Sequence, residues 1–301
     1  MISKAKEMKP EKLADEIEKI ILAVTDAYAG DIVALQDQIY NRLARILKDL
    51  ELDSEGYIKQ SAANRTILNQ AESAIDEILP GKSFTDAVSK TLNSINSINT
   101  LNADYFYTIS ESFNENRNFI RSLQTQTLES IESTLLQDGL TAQIKNPLTD
   151  ILNRNVNSGG QFSGFLEEIR DFVKGNNQVE GRILSYSRTY LSDTLFNYSR
   201  AYQEAMTADL KLDWYMFSGG AMDKTREFCL ERIGNYFHRK EIEKWPELTW
   251  QGKRQGTTKS SIFIFLGGYN CRHSLIPVHV KVVPKEAIEK AISMGFIKLV
   301  A

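Results

Sequence analysis

The order of apolar and polar positions predicts a chain that is helical over its first two thirds. Apolar residues from Leu13 to Tyr28 recur at spacings of three and four, which is typical of an amphipathic helix over residues 9–29. Gly30 is expected to end this helix, and Asp31 to cap a second one with an apolar stripe from Ile32 to Leu50. Two such stripes with a short link predict an antiparallel helical hairpin.

Two further helical stretches follow. One covers residues 60–79 and ends at Pro80-Gly81, and a long helix, or a broken pair, extends from Ser83 to Leu136. Within it, residues 91–102 are rich in Asn and Ser, yet Ile95 and Ile98 continue a clean apolar stripe. Because Asn and Ser favour helix weakly, this stripe needs a partner, either another helix of the chain or another protein.

A domain boundary is predicted near residue 157. Pro147 opens a short helix to about Val156, and the segment from Asn157 to Gly160 has the composition of a flexible joint. We therefore expect a helical docking or spacer region over residues 1–157 and a second module over residues 158–301.

The second module begins with helices over residues 162–173 and 180–210. Strand-like patterns occur only after Lys211, at residues 212–217, 261–266 and 278–283, and a closing helix is predicted over residues 284–294. The predicted fold class is mainly α, with an elongated helical N-terminal region followed by a small α+β C-terminal module.

Composition agrees with an ordinary water-soluble chain. Of its 301 residues, 42% are hydrophobic and 25% are charged, and no apolar run approaches the roughly 20 residues that a membrane span needs. The first residues have no apolar core that would make a secretory signal, and two cysteines are too few for a disulfide framework. We expect no membrane association and folding in a cytoplasm.

Charge is unevenly distributed along the chain. The residues from Lys211 onward carry 15 Lys and Arg against 9 Asp and Glu, a net of +6, whereas the preceding 210 residues carry 21 against 30, a net of −9. A basic module on an acidic carrier suggests that the two parts face different partners. The excess is small compared with the crowded basic face of a dedicated nucleic-acid-binding protein.

The residue types that make specialised contacts are concentrated after residue 213. Both cysteines, all three histidines and all three tryptophans lie between Trp214 and His279. Several short motifs occur in a fixed order in and just before this stretch. They are Ser187-Arg188-Thr189 in a helix, Asp223-Lys224-Thr225-Arg226 followed by Cys229, Arg232-x-Gly234, and finally Asn270-Cys271-Arg272-His273 before a hydrophobic strand, Leu275-Ile276-Pro277-Val278.

This ordered series, from about Ile183 to Val278, resembles the phage Mu F-type minor head protein family. Its members are portal-associated head morphogenesis proteins of tailed phages, and Asn-Cys-Arg before Leu-Ile-Pro-Val is the most specific element of the resemblance. The chain departs from the family pattern at Tyr190, at the Lys224-Thr225-Arg226 order, and at His273, which replaces a second cysteine.

The resemblance implies a structural role. The chain would be a minor capsid component, present in several copies at the portal vertex or inside the head after a stay in the host cytoplasm. Its partners would be the portal protein, the major capsid or other head proteins, and packaged double-stranded DNA. It would assist head assembly, genome packaging or DNA delivery. The alternatives are an enzyme or toxin-like effector carried in the virion, and a cytoplasmic helical adaptor.

The resemblance also implies that the motif residues form one structural constellation: Arg188, Asp223, Thr225, Arg226, Cys229, Asn270, Cys271, Arg272 and His273. We expect the Cys229 and Cys271 segments to lie side by side. Arg188, Arg226 and Arg272 are expected to meet around the terminal turn, which is the turn that contains Cys271. A guanidinium there would bind carbonyls and carboxylates, or alternatively phosphate.

No cofactor is expected, with zinc as the alternative. Cys229, His238, Cys271 and His273 are the ligand types of a structural zinc site, although their spacing is unusual for one. If no zinc is bound, we expect the two cysteines to pack as small buried hydrophobic residues, or to form a disulfide after virions leave the cell. Catalytic signatures such as a nucleophile elbow, a phosphate-binding loop or His-Glu-x-x-His do not occur, so we expect no enzyme.

Overall fold

The computed structural model describes residues 8–79, 81–110 and 113–297. The fold is mainly α with one small antiparallel sheet, which confirms the predicted fold class. The major helices in chain order are α1 (Pro10–Leu47), α2 (Ala62–Ile78), α3 (Lys82–Leu92), α4 (Ser94–Ile109), α5 (Arg117–Leu136), the short α6 (Asp138–Leu140), α7 (Asn146–Ser158), α8 (Phe162–Lys174) and α9 (Arg182–Leu210). In the described ranges, none of the helices combines the length and the apolarity of a membrane span.

The predicted helical hairpin at the start of the chain is wrong, because α1 continues through Gly30. The two apolar stripes are in phase with each other: Tyr28, Ile32 and Leu35 follow at spacings of four and three, and all three are buried. A glycine inside a helix costs only about 1 kcal/mol relative to alanine, so a continuous buried stripe outweighs it.

The long pattern after Ser83 is divided into three helices, α3, α4 and α5. The Asn/Ser-rich stretch lies mostly in α4, where Ile95 and Ile98 are fully buried within this chain. The stripe therefore packs on other parts of the same protein. The predicted helices at 60–79, 162–173 and 180–210 are confirmed as α2, α8 and α9, while Pro80 lies outside the described residues.

The sheet has three strands, all after Lys211. They are β1 (Trp214–Ser218), β2 (Tyr236–His238) and β3 (Ser274–Val278), with β1 in the centre and both neighbours antiparallel to it. Between them lie three short helices, α10 (Glu227–Leu230), α11 (Arg239–Ile242) and α12 (Ile262–Phe265), and α13 (Lys285–Ser293) follows the sheet. Earlier extended pairing in the described residues is limited to isolated bridges such as Leu52 with Ile58.

Two predicted strands are wrong. Residues 261–266 contain the helical turn α12, in which Ile262, Phe263 and Leu266 are buried at helical spacing. A short apolar run fits a buried strand and a buried helical turn equally, so periodicity alone did not separate them. The strand predicted at 278–283 is wrong because Val280–Val282 forms a 3₁₀ turn, whereas the hydrophobic strand expected at residues 275–278 is confirmed as β3.

The chain forms two compact units that interleave in sequence. Of the described residues, the sheet unit contains 8–23, 93–110, 113–127 and 192–297, and the helical unit contains 24–79, 81–92 and 128–191. These units do not coincide with the predicted regions 1–157 and 158–301, because α1, α5 and α9 each contribute residues to both.

The helical unit is organised around a loop that precedes α2. The side chain of Asn64 is fully buried, and its amide donates hydrogen bonds to the carbonyls of Glu51 and Lys59 at 3.0 and 2.7 Å. The segment predicted to be a flexible joint is held against this loop, since Ile58 donates its backbone N–H to the Gly160 carbonyl at 3.0 Å. Gly159 closes α7 in the left-handed conformation.

The sheet unit has a core on each face of β1. On one face Tyr215 and Phe217 pack with Cys229, Trp245 and Cys271. On the other face Trp214 and Met216 pack with residues that include Val278 and Phe296. All five residues of β1 are buried, as expected for a central strand covered on both sides.

Candidate functional site

The centre of the sheet unit is the buried guanidinium of Arg200, which α9 supplies. Its Nε and Nη2 both donate to the carbonyl oxygen of His273, at 2.9 and 2.6 Å. Nη2 also donates to the Cys271 carbonyl at 2.5 Å, and Nη1 donates to the Ile264 carbonyl at 2.9 Å. One side chain thus joins α9 to the α12 turn and to the segment that leads into β3.

Burial of Arg200 has an electrostatic cost. The side chain is only 3% exposed, and loss of hydration lowers the pKa of its guanidinium, against the opposing effect of Cys271 and Asp193. Asp193, about two turns before Arg200 on the same face of α9, forms an ion pair with Arg254 at 2.9 Å. Burial nevertheless raises the pKa of the Asp193 carboxyl, because desolvation outweighs its cationic neighbours.

The conformation of the turn before β3 accounts for the Asn270-Cys271 pair of the motif. Asn270 adopts a left-handed backbone conformation with φ of 57°, which asparagine tolerates better than most residues. Its backbone N–H donates to the Asp193 carboxylate at 2.8 Å. The turn is therefore fixed to α9 by Asp193 at Asn270 and by Arg200 at Cys271 and His273.

The structure places Cys229, Cys271 and His273 together. One potential ligand atom from each residue lies within 4.8 Å of the other two, and all three side chains are buried. The Cys271 sulfur is 3.8 Å from Nδ1 of His273. Both cysteines are free thiols in this structure.

The two thiols differ in acidity. A hydrogen bond from Cys229, another from His273 and the charge of Arg200 lower the pKa of Cys271, although burial acts in the opposite direction. The same hydrogen bond to Cys271, together with burial, raises the pKa of Cys229.

A loop containing Trp250 covers the cysteine segments. The indole of Trp250 stacks on Phe228, with ring centroids 4.1 Å apart, and donates its N–H to the Gly267 carbonyl at 3.0 Å. Arg226 donates to the Tyr269 carbonyl at 2.5 Å. These contacts hold α10, which carries Cys229, against the turn that carries Cys271.

His238 lies away from the three clustered ligands, so its inclusion in the predicted zinc set is wrong. It pairs with Trp214 across the sheet, and paired residues place their side chains on the same face. Its ring packs edge-on against Trp214, with centroids 5.3 Å apart. Trp214 belongs to the core opposite the one that contains Cys229 and Cys271.

The arginine arrangement also differs from the prediction. Arg188 belongs to the helical unit and forms an ion pair with Glu180 at 2.6 Å. Arg272 is partly exposed, and its guanidinium lies 3.7 Å from the Met222 sulfur. Of the three predicted arginines, Arg226 is the one that binds a carbonyl of the terminal turn; Arg200 makes the remaining contacts.

Asp223 and Thr225 lie in the turn before α10. The Thr225 hydroxyl accepts a hydrogen bond from the Met222 backbone N–H at 2.8 Å, so its contact is local. Asp223 is exposed, and no ion pair involving it occurs within the described ranges. From the sequence we also expect an arginine to bind Asp223, and this prediction is wrong for the described residues.

Arg200 and Asp193 were not among the predicted site residues. A signal was present in the sequence, because Arg200 follows Phe196 by four positions and precedes Gln203 by three, on a buried stripe of α9. A charged residue in such a stripe indicates a specific buried contact, since an unpaired charge there is costly.

The site therefore contains two chemically distinct groups. The buried guanidinium of Arg200 binds backbone carbonyls and stabilises the fold. The thiols of Cys229 and Cys271, beside the imidazole of His273, are donor types that bind soft metal ions. Comparison of the chain with protein-family models, with curated proteins and with solved structures gave no match.

Proposed function

We propose that this protein is a structural minor head protein of a tailed phage. It would sit at the portal vertex or inside the head and assist head assembly, genome packaging or DNA delivery. The observation that carries the proposal is the ordered series of motifs from Asp223 to Cys229 and from Asn270 to Val278, which resembles the phage Mu F-type minor head protein family.

The roles of the motif residues in the fold support a structural function. Asn270 supplies a left-handed turn, Arg226 binds a carbonyl, and Cys271 is buried in the core that also contains Phe228. These are contacts that maintain a scaffold. A motif of this kind identifies a folded module whose binding surface lies elsewhere.

The charge distribution supports a division of roles between partners. The basic residues after Lys211 would face DNA or an acidic partner surface, and the acidic remainder would face portal or capsid protein. In the host cytoplasm the protein would be present before assembly, and several copies would enter each particle.

Co-purification with assembled heads tests the proposal. Cells that produce the phage proteins are lysed, and particles are separated from free protein on a density gradient after nuclease treatment. The proposal predicts that this chain migrates with heads that contain portal protein and is reduced in heads assembled without portal. Recovery only in the soluble fraction would favour the adaptor or effector alternatives and contradict the proposal.

A pair of variants makes this test specific. Arg200→Met is expected to destabilise the sheet unit and to lower incorporation, whereas Arg188→Met removes only an exposed ion pair and should leave incorporation unchanged. Equal incorporation of both variants, with the loss of stability verified in solution, would show that the sheet unit is not the part that docks.

A further inference from the structure

The thiol and imidazole cluster has the dimensions of a metal-binding site. In a tetrahedral zinc centre, metal–ligand bonds of about 2.0–2.3 Å place neighbouring ligand atoms roughly 3.5–3.8 Å apart. The potential ligand atoms of Cys229, Cys271 and His273 all lie within 4.8 Å of each other, and the Cys271 sulfur is already 3.8 Å from His273 Nδ1. Small side-chain shifts would therefore bring the three atoms onto one ion.

A glycine next to the sulfurs keeps this space open. A Cβ atom at Gly267 would lie 2.6 Å from the Cys229 sulfur and 3.0 Å from the Cys271 sulfur. Real Cβ atoms do not approach other atoms so closely, so any larger residue would displace the thiols. Gly267 has no positive φ that would itself require glycine, which indicates that the space beside the sulfurs is the reason for this residue.

The backbone that carries the ligands is held rigidly. Arg200 binds the carbonyls of both Cys271 and His273, and the Cys229 N–H donates to the Arg226 carbonyl at 2.9 Å. Rigid support of the ligand-bearing backbone is a requirement of a preorganised metal site.

His273 has unused ligand capacity. The residue is only 5% exposed, and its Nε2 has no hydrogen-bond partner among the described residues. Its Nδ1 has a single long contact to sulfur. A buried imidazole with such weak contacts leaves polar groups poorly satisfied, and coordination through one ring nitrogen would replace the weak contact with a strong bond.

We propose that Cys229, Cys271 and His273 bind one soft divalent cation of the zinc class, with a solvent molecule as the fourth ligand. Binding forms two metal–sulfur bonds and one metal–nitrogen bond, and the thiol protons pass to solvent. The resulting centre joins α10 to β3 and stabilises the sheet unit. It differs from the four residues considered as the zinc alternative in the sequence, because His238 lies on the other face of the sheet.

Titration of the reduced, metal-free full chain with Co²⁺ tests this site. The proposal predicts saturation at one equivalent and a thiolate-to-cobalt charge-transfer band in the near ultraviolet, displaced by Zn²⁺. Replacement of Cys229 or Cys271 by serine should abolish this band, and His273→Asn should weaken binding by about tenfold or more.

Two matched controls separate the site from general effects on folding. His238→Asn changes a second buried histidine of the same unit and should leave the band unchanged. Gly267→Ala should weaken Co²⁺ binding, whereas Gly220→Ala should not, because a Cβ at Gly220 meets no atom within 4 Å.

Thiol counting keeps the test decisive if a variant fails to fold. In the wild-type protein, Zn²⁺ should slow modification of two thiols by a thiol reagent. A wild-type protein with no charge-transfer band and no Zn²⁺ protection would overturn the proposal. So would a band that persists in Cys271→Ser or that disappears equally in His238→Asn.

Discussion

Arg200 and His273 are joined by two hydrogen bonds from one guanidinium to one backbone carbonyl oxygen, at 2.9 and 2.6 Å. The contact connects positions 73 residues apart in sequence, in helix α9 and at the start of strand β3. A planar guanidinium can bind several carbonyls at once, which lysine cannot do with the same geometry. Arg200 is therefore a main contact between α9 and the segment that leads into β3, beside the bond of Asp193 to Asn270.

Replacement of Arg200 by methionine tests this contact. The variant leaves the carbonyls of Cys271, His273 and Ile264 without their common donor, so we expect a loss of about 3–5 kcal/mol in the free energy of unfolding. Denaturant unfolding followed by tryptophan fluorescence measures it, because all three tryptophans lie in the sheet unit.

Arg188→Met is the control for the loss of an arginine. In its ion pair with Glu180, the two side chains are 38% and 44% exposed. Loss of such an exposed pair should lower the free energy of unfolding by only about 0–1 kcal/mol. An Arg200 variant that unfolds at the same denaturant concentration as this control would contradict the role assigned to Arg200.

A second prediction concerns the attachment of α4 to β3. The Tyr105 hydroxyl is buried and donates to the Pro277 carbonyl at 2.6 Å. Tyr105→Phe removes this buried hydrogen bond, and we expect the free energy of unfolding to fall by about 1–2 kcal/mol. Tyr107→Phe, at a tyrosine that is 49% exposed, should change it much less. Equal effects in a denaturant titration would argue against the Tyr105 bond.

Gly30→Ala should stabilise the protein, which is the opposite of the expectation for a glycine that ends a helix. Gly30 lies inside α1, and a Cβ there meets nothing within 4 Å. Alanine is favoured over glycine in a helix interior by about 1 kcal/mol. Thermal unfolding followed by circular dichroism should show a higher midpoint. Gly56→Ala should lower it, because φ of 86° disfavours any side chain there.

The stability of the sheet unit should depend on pH through His238. Burial lowers the pKa of this imidazole, with Asp213 and Glu243 opposing the shift. The unfolded chain therefore takes up a proton near the ordinary value of about 6.5, while the folded chain takes it up at lower pH. The stabilising contribution is present above pH 6.5 and is lost as the pH falls toward the folded value.

Unfolding titrations at pH 7.5 and at steps down to pH 5.5 measure this effect. The free energy of unfolding should fall more steeply with decreasing pH for the wild type than for His238→Asn. The exposed His279 provides the control, and His279→Asn should retain the wild-type slope. If His238→Asn keeps the wild-type dependence of stability on pH, His238 is not the cause of that dependence.

Sequence periodicity predicted most helices because their buried residues follow one repeating stripe. The extents of α2, α8 and α9 and the position of β1 agree with expectation to within a few residues. At Gly30 and at residues 261–266 the local signal was ambiguous. In both places the packing of Ile32, or of Ile262 and Leu266, decided the structure, and packing is a tertiary property.

The candidate site shows the same limit. The residue types of Cys229, Cys271 and His273 indicated their chemistry, but the exclusion of His238 follows from its register against Trp214. The position of Arg200 on the buried stripe of α9 indicated a buried contact, but its partners are backbone carbonyls, which the sequence does not identify. Only the folded chain shows which arginine reaches the turn.

The most direct test of the central claim is a density map of assembled phage heads from cells that produce this protein. We predict density at the portal vertex or on the inner surface of the head into which the sheet unit, with strand order β2-β1-β3, fits. Heads from cells lacking the protein should lack that density. Complete, infectious particles that contain no such density and no peptide of this chain by mass spectrometry would contradict a structural role in the head.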